Sequence, residues 1–236
     1  MIIGIGNTIS KSSISLAEWT PADISGGHSW YKHDEGITID GSSKVLTWDS
    51  QIGSGNQMTS ESGTRPLYSA GTITFGGLKL DFPLWSPGSF SAYFVCKVTA
   101  GSIINEEIIN YNSQNFIRIQ NEDTFRVRIG SAGNNDISVT NTLSTDTWMI
   151  LGVEWLGETD GTINVYQDTK YDTPSGTAND TDTLVGFGGT GASSGLGLRG
   201  SVNFGGDMKE IVFIDNELTT SDRNSLMTYL KDKHSI

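Results

Sequence analysis

Residues 212–236 read VFIDNELTTSDRNSLMTYLKDKHSI. The segment begins as the end of an apolar strand and becomes, from Thr219, a helical pattern that has almost no counterpart elsewhere in the chain. Thr219 followed three residues later by Asp222 is a capping-box-like start, with a short carboxylate in place of the preferred Glu. The negative charge of Asp222 also suits the first turn. Leu226, Met227 and Leu230 form one apolar stripe, and Lys231, Lys233 and His234 fall near the end, where cations are favoured. A short, one-sided helix at the end of a chain does not nucleate a core. It predicts a lid laid on a sheet that the preceding residues build.

The preceding residues read as that sheet. In DTFRVRI, Phe125, Val127 and Ile129 alternate with Thr124, Arg126 and Arg128, the period-2 pattern of a half-buried strand. FSAYFVCKV (90–98) is apolar on both faces, as a central strand is, and TWMILGVEW (147–155) reads the same way. GTINVYQ follows the latter after LGETDG, a polar turn bounded by glycine, so the two form a predicted hairpin. KVLTW, TITF, LKLDF, NEEIINY, FIRIQ, NDISV and MKEIVFI bring the total to roughly a dozen short strands, the spacing of a sandwich. No repeat or linker divides them, and strands continue on both sides of GFGGTGASSGLG.

Composition agrees. Hydrophobic residues make up 36% of the 236, charged residues 18%, and there are 29 glycines, which suits many strands joined by tight turns around one core. The net charge of −12, from 15 basic and 27 acidic residues, repels phosphate backbones and argues against nucleic acid. Cys96 is the sole cysteine, so no intrachain disulfide forms, and a buried thiol is expected. MIIGIGNTIS has no basic leader, and no window approaches the roughly 20 apolar residues of a membrane span.

The last strand and helix, through Gly206, Asp207, Glu210, Ile211, Val212, Phe213, Ile214, Asp215, Leu218, Thr219, Asp222, Arg223, Leu226, Tyr229, Leu230 and Lys233, resemble the close of concanavalin A-like, LamG-type jelly rolls. Pro21, Asp23, Ile24, Gly26, Trp30, Tyr31, Val45, Trp48 and Asp49 are similar to the opening of the same group. His28 departs from it, standing where an aliphatic residue is usual. The resemblance implies an all-β, antiparallel two-sheet jelly-roll sandwich with one short C-terminal helix: an N-terminal arm over 1–19 and a single domain over 20–236. Within the group the chain looks most like accessory virion proteins of tailed phages, including marine phages of cyanobacteria.

Several side chains are candidates for chemistry. The laminarinase-type hydrolases of this superfamily carry E-x-D-x-x-E on one strand, and that motif is absent. The nearest set, Glu154, Glu158 and Asp160, splits between a strand and a turn. His28 and His33 with Asp34 lack a second cluster to complete a metal shell. Jelly rolls of this type carry calcium on the rim, and Asn179, Asp180 and Asp182 offer hard oxygen donors in a loop, although Asx-rich loops also simply make turns. Trp85, flanked by Pro83 and Pro87, reads as a loop tryptophan. It is either an exposed sugar platform or a ring folded onto the core or another subunit. Trp30, Trp48, Trp148 and Trp155 lie in strands and read as core.

If FIRIQ and TFRVR form a hairpin with a three-residue loop, Arg118 faces Arg126 on the solvent side, with Arg128 beside them. Like charges placed opposite each other are unfavourable, so the patch asks for carboxylates. Glu107 within the chain, or an acidic surface on another protein, supplies them.

The resemblance, with the missing catalytic motif, implies a non-enzymatic phage virion protein. It would decorate the capsid or belong to a tail or fibre appendage, be made in the host cytoplasm and reside in the virion. Its partners would be other virion proteins and host cell-surface glycan, the contacts falling on Trp85, Arg118, Arg126 and Arg128. A homo-oligomer is compatible with that role. The alternative is a stand-alone carbohydrate-binding lectin that depends on calcium or an aromatic platform.

Overall fold

The computed structural model describes residues 18–99, 106–111, 115–120, 124–130, 136–140, 145–168, 174–189, 194–199 and 202–236. The expected N-terminal arm lies, up to residue 17, outside the described residues. The protein is all-β, with one C-terminal helix, Thr220–His234. Two antiparallel sheets dominate. The larger runs Gly176–Asn179, Thr162–Gln167, Trp148–Trp155, Phe90–Lys97, Asp207–Ile214, Thr72–Thr74 and Leu67–Ser69, and Gly27–Lys32 also pairs with Asp207–Ile214. The smaller runs Asp136–Thr140, Thr124–Arg128, Asn115–Gln120, Glu106–Tyr111 and Ser194–Leu196. Early and late strands therefore lie side by side, as they do in a jelly roll.

Alternation assigns the central strands to two cores. Phe90, Ala92, Phe94 and Cys96 face inward between the sheets, meeting Ile117, Ile119, Phe125 and Val127 in one cluster. Tyr93 and Val95 point the other way, to a second cluster with Leu226, Met227 and Leu230 of the helix. Both faces of the large sheet are thus dry, which is why FSAYFVCKV is apolar throughout. The lone thiol of Cys96 is buried as expected, and that burial raises its pKa.

A β-bulge between Met208 and Glu210 shifts the parity of the closing strand. Met208, Ile211 and Phe213 face the inter-sheet core, whereas Val212 and Ile214 face the helix. The extra residue re-aims one side chain, and Glu210 is the polar group at this irregularity.

The helix begins as its sequence predicts. The Thr219 hydroxyl accepts from the Asp222 backbone N–H (3.1 Å) and donates to the Asp222 carboxylate (2.8 Å). It ends on Ser235 in the left-handed region, with φ 57°. Its buried stripe, Arg223, Leu226, Met227, Leu230 and His234, places a cation at the start and an imidazole at the end. Both prove to be buried anchors.

Gly152 lies at a close approach on the Tyr93 side of the sheet. It pairs with Tyr93 across the sheet, and a Cβ there would lie 2.4 Å from the Tyr93 ring. Gly152→Ala must displace that fully buried ring. The expected cost is about 1–3 kcal/mol, read as a lower urea midpoint with an unchanged slope.

Candidate functional site

The outer face of the smaller sheet carries an arginine cluster built by strand pairing. Arg118 pairs with Arg126 in register, as the three-residue loop predicts, and with Glu107 on the other side. Arg118, Arg126 and Arg128 stand over the Phe116 ring at 4.4, 6.0 and 4.7 Å from its centroid. Arg118 Nη1 meets Glu107 Oε1 at 3.5 Å. The amide oxygen of Gln120 accepts from both Arg118 (3.2 Å) and Arg126 (2.6 Å), bridging the like charges. The intramolecular pair with Glu107 is therefore present. The face is not open solvent, however, because Phe116 and Glu107 are fully buried and Arg118 is 9% exposed. Arg126 and Arg128 are half-buried and form the accessible edge. Burial, with the like charges of Arg118 and Arg128, lowers the pKa of Arg126 more than Glu107 raises it. The local field is one that an anion relieves.

The opposite face of the molecule, under the helix, contains a buried polar clamp. Arg223 Nε and Nη2 donate to the two oxygens of Glu154 at 2.9 and 2.6 Å, a bidentate pair. The Tyr93 hydroxyl donates to Glu154 Oε1 at 2.6 Å, and Arg223 Nη2 also donates to the Leu218 carbonyl at 3.1 Å. The guanidinium lies over the Tyr166 ring. Burial and the Glu154 charge together push the Tyr93 hydroxyl pKa well up, so it stays a neutral donor. Of the carboxylates first considered for catalysis, Glu154 is thus enclosed and fully bonded, while Glu158 and Asp160 are exposed in the turn after its strand.

At the other end of the helix, Glu210 is fully buried. It accepts from Trp30 Nε1 at 2.6 Å, and its Oε2 lies 2.7 Å from His234 Nε2 and 2.9 Å from Lys233 Nζ. The His33 and His234 rings are 5.3 Å apart, so His33, Glu210 and His234 come together. Sequence reading grouped His33 with His28 and Asp34 and found no second cluster, because the partners lie at the other end of the chain. The one available signal was Glu210, a charged residue inside the apolar run MKEIVFI.

Trp85 is not a platform. It lies in the strand Phe82–Trp85, paired with Phe187–Gly189 in a two-stranded ribbon whose edge tolerates Pro83. Its ring is buried against Phe90 and Phe213, and its Nε1 donates to Asp215 Oδ1 at 2.6 Å. The reading of Trp85 as an exposed sugar contact is corrected accordingly. Trp30, Trp48 and Trp155 are core, while Trp148 is half-buried beneath Lys97 and Lys209.

Asn179 is exposed and donates to the Asp160 carbonyl. Asp180 is buried, and its Oδ1 accepts from the Asp182 backbone N–H at 2.9 Å. This is an Asx-turn arrangement within the loop proposed for calcium.

His28 is half-buried, stacked on Trp85 with Nδ1 3.3 Å from Asp215. Burial depresses its pKa below 6.5 by more than Asp215 raises it. On acidification the unfolded chain therefore takes up this proton first. The contribution of His28 is complete above pH 6.5 and is lost as pH falls through the lower folded value. His28→Gln should accordingly lose less stability than the parent between pH 7.5 and pH 5.5, as measured by urea unfolding.

The architecture defines a class, the two-sheet β-sandwich. Among solved structures the chain is similar to Trypanosoma rangeli sialidase in complex with sialic acid, at TM-score 0.56 and 10% identity, covering 89% of this chain and 33% of that one. The same sialidase in complex with a difluoro-KDN gives TM-score 0.57 and 11% identity over the same shares. A Ruminococcus gnavus sialidase CBM40 bound to α2,3-sialyllactose aligns at TM-score 0.45 and 9% identity, over 61% of this chain and 83% of that one. The chain thus spans about a third of the length of the Trypanosoma enzymes it matches. No family model and no curated protein matches the sequence.

At these identities the likeness is one of fold. The expectation of a non-enzymatic chain is corrected to this extent: solved structures that share the fold include sialidases, which are enzymes, so the fold does not exclude an activity. That exclusion had rested on a resemblance and a missing motif, and a fold carries many chemistries. The matched structures named above lend no support to a virion role. No helix among the described residues is long and apolar enough to cross a membrane.

Proposed function

We propose that this β-sandwich recognises carbohydrate, and that its ligand is an acidic glycan whose carboxylate is held at Arg118, Arg126 and Arg128. The observation that carries this reading is the convergence of three guanidiniums around the Phe116 ring in a chain of net charge −12. Arginine forks match a carboxylate in shape as well as charge. On this face, Glu107 stands beside Arg118.

Further support comes from the fold shared with a sialidase solved in complex with sialic acid. The half-buried setting of Arg126 and Arg128 strengthens each contact relative to a fully hydrated site. A virion location is not needed for this reading, and calcium has no part in it.

The test is a glycan screen of the whole chain with and without chelator, comparing sialyllactose with lactose. Saturable binding of the acidic sugar, absent for lactose and indifferent to chelator, is expected. Equal binding of the two sugars, or of neither, overturns the proposal.

A further inference from the structure

We infer that His33, Glu210 and His234 form a binding site for a divalent transition metal of the zinc class, which pins the last turn of the C-terminal helix to the sheet. Each residue comes from a different part of the chain: His33 follows the strand Gly27–Lys32, Glu210 sits at the bulge of the closing strand, and His234 ends the helix. One ligating atom from each lies within 4.8 Å of the other two, and no other such trio occurs among the described residues. Two imidazoles and a carboxylate are a donor set that zinc accepts, with the fourth tetrahedral position left to water.

The spacing is compatible with the ion. Ligand bonds of about 2.0–2.1 Å in a tetrahedron place donor atoms about 3.3 Å apart. The observed separations run from 2.7 Å, between His234 Nε2 and Glu210 Oε2, to a maximum of 4.8 Å. Side-chain adjustments of about 1 Å bring all three to the required distance, and half-buried His33, which lies just beyond its strand, is the ligand with most room to make them.

The surroundings are those of a supported ligand set. Trp30 Nε1 holds Glu210 Oε1 at 2.6 Å, which fixes the carboxylate and leaves Oε2 toward the histidines, the arrangement that orients metal-binding carboxylates. His33 Nδ1 is buried and has no hydrogen-bond partner. A buried polar atom left so is costly, and a ligand bond would satisfy it.

Lys233 competes for this site, with Nζ 2.9 Å from Glu210 Oε2. Its ammonium stands where the ion's charge would act. The same nitrogen is 3.5 Å from Asp34, a mostly exposed carboxylate, so the lysine has a second partner to turn to when a metal displaces it.

The experiment is calorimetric titration of the full, chelator-stripped chain with zinc chloride, together with the visible spectrum of the cobalt-loaded chain. One saturable site per chain, tetrahedral cobalt bands and a thermal midpoint raised by several degrees are expected. His33→Ala should lower affinity at least tenfold, whereas His28→Ala should bind as the parent does. His234→Ala also strips a partner from buried Glu210 and risks unfolding, so His33→Ala, with folding checked by circular dichroism, decides the matter. The inference is overturned if the folded parent shows no saturable uptake, if His33→Ala binds zinc like the parent, or if His28→Ala loses binding. Glycan binding plays no part in these readouts, so either proposal can fail alone.

Discussion

Arg223→Ala is expected to lower stability by about 3–5 kcal/mol, the largest effect of any single change at the helix. The variant leaves Glu154 fully buried without its bidentate partner. The Tyr93 hydroxyl at 2.6 Å and the more distant Tyr166 hydroxyl at 3.4 Å do not neutralise a carboxylate. The Leu218 carbonyl loses its donor as well, at the turn that leads into the helix. Part of the cost is met by detaching the helix, because Glu154 is hydrated once Leu226, Met227 and Leu230 no longer cover the sheet. Hydrogen exchange should therefore show the helix amides losing protection before those of Phe90–Lys97. Substituting both partners with apolar residues, Glu154→Met with Arg223→Met, should cost less than Arg223→Ala alone, since no charge is then left buried. The Tyr93 hydroxyl would still lack its acceptor, so about 1–3 kcal/mol of loss is expected to persist. A measured loss below about 1 kcal/mol for Arg223→Ala would show that apolar packing alone holds the helix in place.

The contrast between the two ends of this helix shows what the sequence made legible. Its start, its stripe and its role as a lid follow from local spacing, and the structure agrees at Thr219, Asp222, Leu226, Met227 and Leu230. The hairpin register that opposes Arg118 and Arg126 was equally legible, because loop length fixes register within a few residues. What covers a strand face was not. Alternation shows that Glu154 and Tyr93 point away from the inter-sheet core, but not that a helix from the far end of the chain closes over them. Glu154 accordingly stood only in the nearest approach to a missing catalytic motif and proved to be an anchor. Trp85 read as a loop residue, exposed or folded back, because two prolines flank it, yet an edge ribbon accommodates Pro83 and a register shift in its pairing leaves both Phe82 and Trp85 buried. His33 and Glu210 are both plain in the sequence, but their meeting depends on the pairing of Gly27–Lys32 with Asp207–Ile214, a non-local contact that no local pattern encodes.

At the arginine cluster, Arg126→Ala should weaken binding of a sialylated glycan by about tenfold to a hundredfold, the loss of one charge-assisted contact of about 1.5–3 kcal/mol. Arg126 is the residue to change because its role separates from folding. Arg118 faces the fully buried Glu107 at 3.5 Å, so removing it confounds ligand loss with an uncompensated charge. Arg126 is half-buried, is flanked by two like charges and shares Gln120 with Arg118. Its removal relieves repulsion within the free protein, so the variant should be as stable as the parent or slightly more so. Arg126→Lys keeps the charge but loses the planar fork, and an intermediate affinity is expected if the carboxylate is gripped in two places. Arg126→Glu should abolish acidic-glycan binding while remaining folded. Stability that rises while affinity falls is the pattern of a residue kept for its ligand. If Arg126→Ala instead unfolds at lower urea and binds sialyllactose as the parent does, the cluster is a device for pairing strands, and the ligand site lies elsewhere.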